Sequence, residues 1–324
     1  MSVPASFEGF AVRDARLEDR PHVLEFTAHT WEFGDYIEFV YDQWVRDSAG
    51  RFIVAEEEAT GTIVAIDKLT MLSPTEAWFE GLRVNPLYRG RGIAPWLQRY
   101  MIQEAKRLGA QTIRFLTRED NLPVHSMAYR DGFVMRAVVR FWKRRPQAAG
   151  ARAGEDTEGT GHSPVALREA TVDEAPLLFD WWWRSASYAT GGLVCRGWAF
   201  GGTSLDEWVE RAKSGQLFVE ARAVIAEKTL PPPTVMVLQE EEEEGEGGGV
   251  GWVLAAVVSA PSTDYASLMA GLVREAQRRD IEQVSGLLPD MAGVEHGMLS
   301  AGFEAEERLC LFELDLTRQG RYDR

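Results

Sequence analysis

The chain has 324 residues, 45% of them hydrophobic and 26% charged, with a formal net charge of -15. That composition fits a globular protein with room for two ordinary domains, and its acidity argues against nucleic acid as the main partner. Nothing near its N-terminus (MSVPASFEGF) combines a basic start with an apolar core, and no apolar run approaches the roughly 20 residues that span a bilayer. Cys195 and Cys310 stand alone and far apart, which fits a reducing compartment, so a cytoplasmic protein without a membrane partner is expected.

In chain order, a strand at 10–13 leads to helices near 17–28 and 36–47. Strands follow at 51–57 (RFIVAEE) and 62–71 (TIVAIDKLTM), joined by a Thr-Gly turn, and another at 77–84 (AWFEGLRV). A helix from about Ile93 to Leu108 places Leu97, Met101, Ala105 and Leu108 on one face. A strand at 113–117 (IRFLT), a short helix and a strand-like tail (VMRAVVRFW) close this half. Strands and helices mix without strict alternation, so the class is α+β with a mixed sheet.

Residues 146–164 (PQAAGARAGEDTEGTGHSP, from Pro146) have linker composition, dividing the chain into domains at 1–145 and 165–324. The two parts resemble each other. A-V-R-D-A-R-L-E-D after Phe10 parallels A-L-R-E-A-T-V-D-E after Val165, and Asp131-Gly132-Phe133 parallels Ala301-Gly302-Phe303. In both halves acidic residues open a helix at its positive end. This is an internal duplication at domain scale. Within the second half, the run Glu240–Glu244 is expected to be a solvated loop tip. The adjacent Trp181, Trp182 and Trp183 cannot all face one way on a helix, so a domain interface is expected for some of them.

The stretch V-N-P-L-Y-R-G-R-G-I-A, from Val84 to Ala94, joins a strand to a helix through two glycines flanked by arginines. The first turn of a helix has amides without internal partners, and the macrodipole adds partial positive charge there. Glycine lets the backbone approach an anion closely, and Arg89 and Arg91 add full charges. Such a loop is an anion cradle suited to a diphosphate. The Walker pattern is missing, and the dinucleotide fingerprint fails at Pro95.

Arg89-x-x-Gly92-x-Ala94 resembles the R/Q-x-x-G-x-G/A signature of the GNAT acyltransferase superfamily, and Asn121 with Gly132-Phe133 resembles its N…GF segment. The resemblance implies tandem GNAT-like folds, each with a mostly antiparallel sheet flanked by helices, and acetyl-CoA as acyl donor. It implies cofactor contacts from Leu82, Arg83 and Val84 at the end of a splayed strand, from Arg89, Gly90, Arg91, Gly92, Ile93 and Ala94, and from Asn121. E-G-L-R-V-x-P and L-T-R-E-D-N are further similar to the histidine N-acetyltransferase-like branch, which points to a small-molecule amine, such as an amino-acid α-amine, as partner. The second half has S-A-P-S-T-D-Y where the first has the cradle, and Asp264 would meet a phosphate with the wrong charge, so a degenerate copy is expected there.

Acetyl transfer to an amine needs a base, because an amine is mostly protonated at neutral pH. Glu80, between Phe79 and Leu82, is the candidate base, in an apolar setting that would raise its pKa. The alternative is a purely structural pairing with Arg83 or with a neighbouring strand. For the proton donor, the family's tyrosine position holds Ala128. Tyr129 lies one place later, about 100° around the helix, and His125 lies a turn earlier. Trp31, Glu32, Asp35, Tyr36 and Glu38 are candidate substrate contacts, with a solvated helix face as the alternative. An acyl-CoA-binding sensor without turnover, or a scaffold, is the competing function. Self-association as a homodimer is left open, and no metal site is expected.

Overall fold

The computed structural model describes residues 3–28, 30, 34–144, 163–185, 190, 192–223, 235–242, 250–258 and 264–317. It divides into two compact units. Unit 1 comprises Met1–Leu116, Asn121–Val134 and Phe312–Arg324; unit 2 comprises Thr117–Asp120 and Met135–Leu311. Most of the expected linker lies outside the described residues, as do Trp31 and Glu32.

Unit 1 opens with β1 (Ser6–Phe7) and β2 (Phe10–Asp14), then α1 (Arg20–Thr27) and α2 (Ile37–Arg46). Strands β3 (Arg51–Glu57), β4 (Ile63–Ser73) and β5 (Glu76–Val84) follow, then α3 (Ile93–Arg107), β6 (Thr112–Arg118) and α4 (Leu122–Arg130). β1 to β5 are antiparallel neighbours in sequence order, whereas β5 and β6 are parallel. β4 is buried from Ile63 to Leu69 without alternation, as expected of a strand covered on both faces. A core of Val23, Ile37, Tyr41, Trp44, Phe52, Val54 and Ile66 joins α1 and α2 to the sheet.

Unit 2 contains the body of β7 (Val134–Arg144), then β8 (Leu167–Glu169), α5 (Ala175–Ser185), β9 (Val194–Arg196), β10 (Ala199–Gly201), α6 (Leu205–Lys213) and β11 (Leu217–Glu220). It continues through β12 (Val235–Glu242), β13 (Val250–Val258), α7 (Tyr265–Arg278), β14 (Gln283–Pro289), α8 (Ala292–Ser300) and most of β15 (Glu304–Asp315). Its strand order is β15-β7-β14-β13-β12-β11-β8. The end of β15, from Phe312 onward, belongs to unit 1, where it lies beside β6. There Phe312 stacks on Phe115 at 5.2 Å, and buried Arg114 pairs with both Glu313 and Glu76.

Two of the parallel sequence segments form similar local clasps. In unit 1 Arg13 grips Asp19 through two hydrogen bonds, of 2.7 and 2.9 Å, and Asp19 also accepts from the Arg16 amide. Six residues apart again, Arg168 grips Glu174 at 2.8 and 2.7 Å, and Glu174 accepts from the Thr171 amide. Each carboxylate satisfies an amide that the start of a helix leaves without a partner.

Two expectations for the second half need correction. Glu240, Glu241 and Glu242 continue β12 and pair with Trp252, Gly251 and Val250, because β13 offers a partner ladder; the rest of the run lies outside the described residues. Trp181 and Trp182 are buried in unit 2's own core with Trp208, Leu178 and Val194, while Trp183 is half-exposed against Phe179. Trp181 and Trp182 are thus claimed by their own unit's core.

Gly81, in the middle of β5, has φ +71°, and a Cβ there would stand 2.5 Å from the Trp44 indole. A left-handed residue inside a strand breaks the ladder. The β4–β5 register does shift between Ile66 and Lys68, opposite this glycine. Gly81→Ala should therefore cost roughly 2–4 kcal/mol, from backbone strain plus overpacking. Urea unfolding checks this, and a loss under about 0.5 kcal/mol would show that Trp44 yields freely.

Candidate active site

The strand–helix loop at 89–92 has the expected form. Gly90 (φ +78°) and Gly92 (φ +79°) are both left-handed, and Gly92 is the N-cap of α3 with no side chain capping the first turn. A Cβ at Gly90 would meet nothing within 4 Å, so the loop opens to space there. Arg89 and Arg91 are exposed; Arg91 lies 4.8 Å from the Tyr88 ring centroid, and Arg89 Nε donates to the Val84 carbonyl at 3.4 Å. Exposed cations beside uncapped helix amides form a site that fits a diphosphate.

Sequence reasoning missed what backs this loop. Phe7 stacks on Trp96 of α3 at 5.6 Å and reaches within 3.4 Å of where a Gly92 Cβ would sit. Trp96 Nε1 donates to the Pro4 carbonyl, and the Val3 amide donates to Gln103. The earliest residues thus lie along α3. The aromatic pair Phe7/Trp96 was the available signal, but nothing in the spacing joins residues 89 apart in the chain.

The second feature is a gap in the sheet. β5 and β6 are paired only from Glu76↔Thr112 to Trp78↔Arg114. From Phe79 to Val84 the β5 backbone therefore has a strand partner on the β4 side alone, and Leu82, Arg83 and Val84 border the opening beside the glycine loop. Unpaired strand amides at such a split can donate to a ligand oxygen.

Glu80 stands at this split, and its Oε1 accepts from Thr70 Oγ1 at 2.6 Å. Burial raises its pKa above the ordinary carboxylate value, against the lowering effects of the Thr70 hydrogen bond and the Lys68 charge. Lys68, directly across the ladder from Glu80, is fully buried, and its Nζ donates to Asp47 and to the Leu69 carbonyl. Of the structural alternatives for Glu80, the Thr70 hydroxyl is a partner on the neighbouring strand, whereas the pairing with Arg83 does not form. Instead Arg83 binds Asp35, whose side chain is 1% exposed, through Nε at 2.7 Å and Nη2 at 3.2 Å. Tyr36 lies under the Arg83 guanidinium, 5.5 Å from it, and edge-on to Trp44. Although the Tyr36 residue is 43% exposed, its phenol end is desolvated, which pushes its pKa up to about 12. Glu80, Tyr36, Asp35 and Arg83 are thus brought together.

The remaining candidates gather elsewhere in unit 1. Asn121 is the N-cap of α4, and its carbonyl accepts from the His125 amide. Ala128, at the position where the family's tyrosine is expected, is fully buried and packs inward. Tyr129 is 52% exposed, and both it and His125 rest on Phe312, with ring centroids 5.4 and 5.1 Å away. The aromatic series Phe79, Phe133, Phe115, Phe312 runs from β5 towards them. Phe312 was invisible to sequence reasoning, since it comes from the far end of the chain. Among the described residues no group of His, Cys, Asp and Glu could hold a metal.

In unit 2 the corresponding helix start is closed from within. The Asp264 carboxylate caps α7, accepting from the Ala266 and Ser267 amides and from the Ser267 hydroxyl at 2.7 Å. A carboxylate already on those amides leaves an incoming phosphate both blocked and repelled.

The Lys68–Asp47 pair makes a stability prediction. Although burial alone would raise it, Asp47's pKa is lowered by the Lys68 hydrogen bond and charge. A lowered carboxylate stabilises the fold above the unfolded-state value of about 3.9 and loses that contribution as pH falls through the folded value. Asp47→Asn, which strands the Lys68 charge, should cost roughly 2–4 kcal/mol at pH 7, with the difference closing below about pH 4. Urea titrations from pH 3 to 8 check it; a pH-independent difference would contradict the pairing.

Comparison with known proteins bears on the first half most directly. Residues 13–133 match the acetyltransferase (GNAT) family. A stretch of 157 residues is 36% identical to the probable N-acetyltransferase 16 of Homo sapiens, covering 44% of this chain and 41% of that protein. Ninety residues are 34% identical to the histidine N-acetyltransferase of Xenopus tropicalis, covering 27% of each. The matched stretches thus span less than half the length of these relatives. Among solved structures, a GCN5-related N-acetyltransferase from Sphaerobacter thermophilus superposes with a TM-score of 0.60 at 14% identity, over 95% of this chain and 96% of that one. The chain has the mixed α/β fold of GNAT acetyltransferases, and its residues 13–133 are similar to that family.

Proposed function

We propose that this protein is an acetyl-CoA-dependent N-acetyltransferase acting on the primary amine of a small molecule. The observation that carries the reading is the juxtaposition of an uncapped Gly/Arg helix start with a sheet that splits beyond Trp78. The α-amine of an amino acid, histidine first, is the substrate class favoured by the partial likeness to histidine N-acetyltransferase.

When bound, acetyl-CoA supplies the activated acetyl group. In this reading Arg89, Gly90, Arg91, Gly92, Ile93 and Ala94 hold its diphosphate, and Asn121 borders its arm. Leu82, Arg83 and Val84 line the gap, where the Val84 amide is aimed at an oxygen that gains charge. Glu80 takes the amine proton, and its raised pKa suits a base that works near neutrality. Asp35 and Tyr36 shape the amine side. His125 and Tyr129 are the candidate proton donors. The second half is read as a degenerate GNAT-like domain, supported by the Asp264 cap and the repeated Arg–carboxylate clasp. A cytoplasmic setting belongs to the same proposal, supported by the free, buried Cys195 and Cys310. No described helix is long and apolar enough to cross a membrane.

The buried Ala128 favours one competing reading, an acyl-CoA-binding sensor without turnover. Thiol release from acetyl-CoA against a panel of amino acids, polyamines, aminoglycosides and short peptides separates the two. The enzyme reading expects release with one class of amine, and Glu80→Gln should lower kcat by about 10²- to 10⁴-fold with the KM for acetyl-CoA held within about threefold. No release from any amine, with acetyl-CoA still raising Tm, would favour the sensor.

A further inference from the structure

We propose that Thr70 is a positioning residue that aims the Glu80 carboxylate and holds it ionised for proton abstraction. The inference rests on the reading of Glu80 as the base.

The register pairs Lys68 with Glu80, and Lys68 and Thr70, two apart on β4, share one face of the sheet. An ammonium directly opposite a buried carboxylate would normally take it as its partner. A base bound that way would be held as a carboxylate but would offer its charge to the lysine instead of an amine. Here the fully buried Lys68 Nζ is turned to Asp47 and the Leu69 carbonyl. Glu80 receives a neutral donor in its place, the Thr70 hydroxyl, at 2.6 Å on Oε1. A hydroxyl has one proton to give, so it fixes one carboxylate oxygen and leaves the other for an incoming proton.

The groups facing Glu80 set the balance. Lys68 from β4 lowers its proton affinity, and Asp47, following α2, raises it. Tyr36, preceding α2, is neutral in the physiological range with its pKa near 12, and it in turn feels the Glu80 charge. Asp35 and Arg83 neutralise each other. Burial is the largest influence and favours the protonated acid, which cannot act as a base. Against it, the Thr70 hydrogen bond favours the charged form directly. Thr70 is half-buried on a strand, so valine there keeps both shape and β-branching while deleting the donor.

The test is the pH profile of kcat/KM for the amine at saturating acetyl-CoA, in the full chain and in the Thr70→Val, Thr70→Ser and Glu80→Gln variants. Thr70→Val should move the acidic limb up by about one pH unit, so that activity on that limb falls roughly tenfold and largely recovers on the alkaline side. Thr70→Ser, which keeps the donor, should remain within about twofold of the parent. The KM for acetyl-CoA should stay constant throughout. If Thr70→Val lowers Tm enough to obscure the profile, Thr70→Ala makes the same deletion. A Thr70→Val or Thr70→Ala profile that superposes on the parent, while Glu80→Gln is inactive, would overturn the role of Thr70 alone. A fully active Glu80→Gln would overturn the base reading, and this inference with it.

Discussion

The left-handed glycine at the centre of β5 is the constraint on which the site depends. Trp44 occupies the space that a side chain at residue 81 would need, and the φ of +71° turns the strand there. The β4–β5 register slips at the same place, so residues before and after Gly81 answer to different partners. Glu80 is left opposite Lys68 and beside Thr70, whereas Arg83 is turned to Asp35. A regular strand would have kept Glu80 and Arg83 on opposite faces with one continuous ladder. The break brings to the same neighbourhood an acid held by a neutral hydroxyl and an arginine held by Asp35. It also lies just beyond the point where β5 and β6 cease to pair.

Electrostatics around the split follow from pairing rather than from net charge. Buried ions cost several kcal/mol each unless matched, and here Lys68 is matched by Asp47, Asp35 by Arg83, and Arg114 by Glu76 and Glu313. Glu80, satisfied by a neutral hydroxyl, and the buried Asp67, which accepts from the Lys68 amide, are not matched in this way. The two helix starts show the same logic at a different scale. Gly92 leaves α3 uncapped beside exposed arginines, while Asp264 caps α7 with its own carboxylate. One arrangement invites an anion; the other already contains one.

Local sequence carried much of this. The Arg/Gly spacing placed the tight strand–helix loop, and the 3.6-residue apolar pattern placed α3 to within a residue at its end, because both depend on neighbours in the chain. Glu80 was identified from its strand, and burial does raise its pKa. What stayed hidden depends on contacts across long separations. Thr70 is ten residues from Glu80 and becomes its partner only through the β4–β5 hairpin register. Phe312 and Glu313 pack with β6 and α4 from almost 200 residues away, which no periodicity reports. Some of the three adjacent indoles were expected at an interface because three in a row exceed what one helix face can bury; the unit's own core takes Trp181 and Trp182. The glutamates at 240–242 looked too charged for a strand, yet ladder pairing with β13 outweighs their intrinsic preference.

The central claim is one working cradle per chain. Calorimetric titration of CoA into the full-length protein tests it most directly, alongside a variant with Arg89 and Arg91 both replaced by alanine. The account predicts one CoA bound per chain and affinity reduced by about tenfold or more in the double variant, as expected for losing charged contacts to phosphate. Two sites per chain, no binding, or an affinity indifferent to both arginines would contradict it.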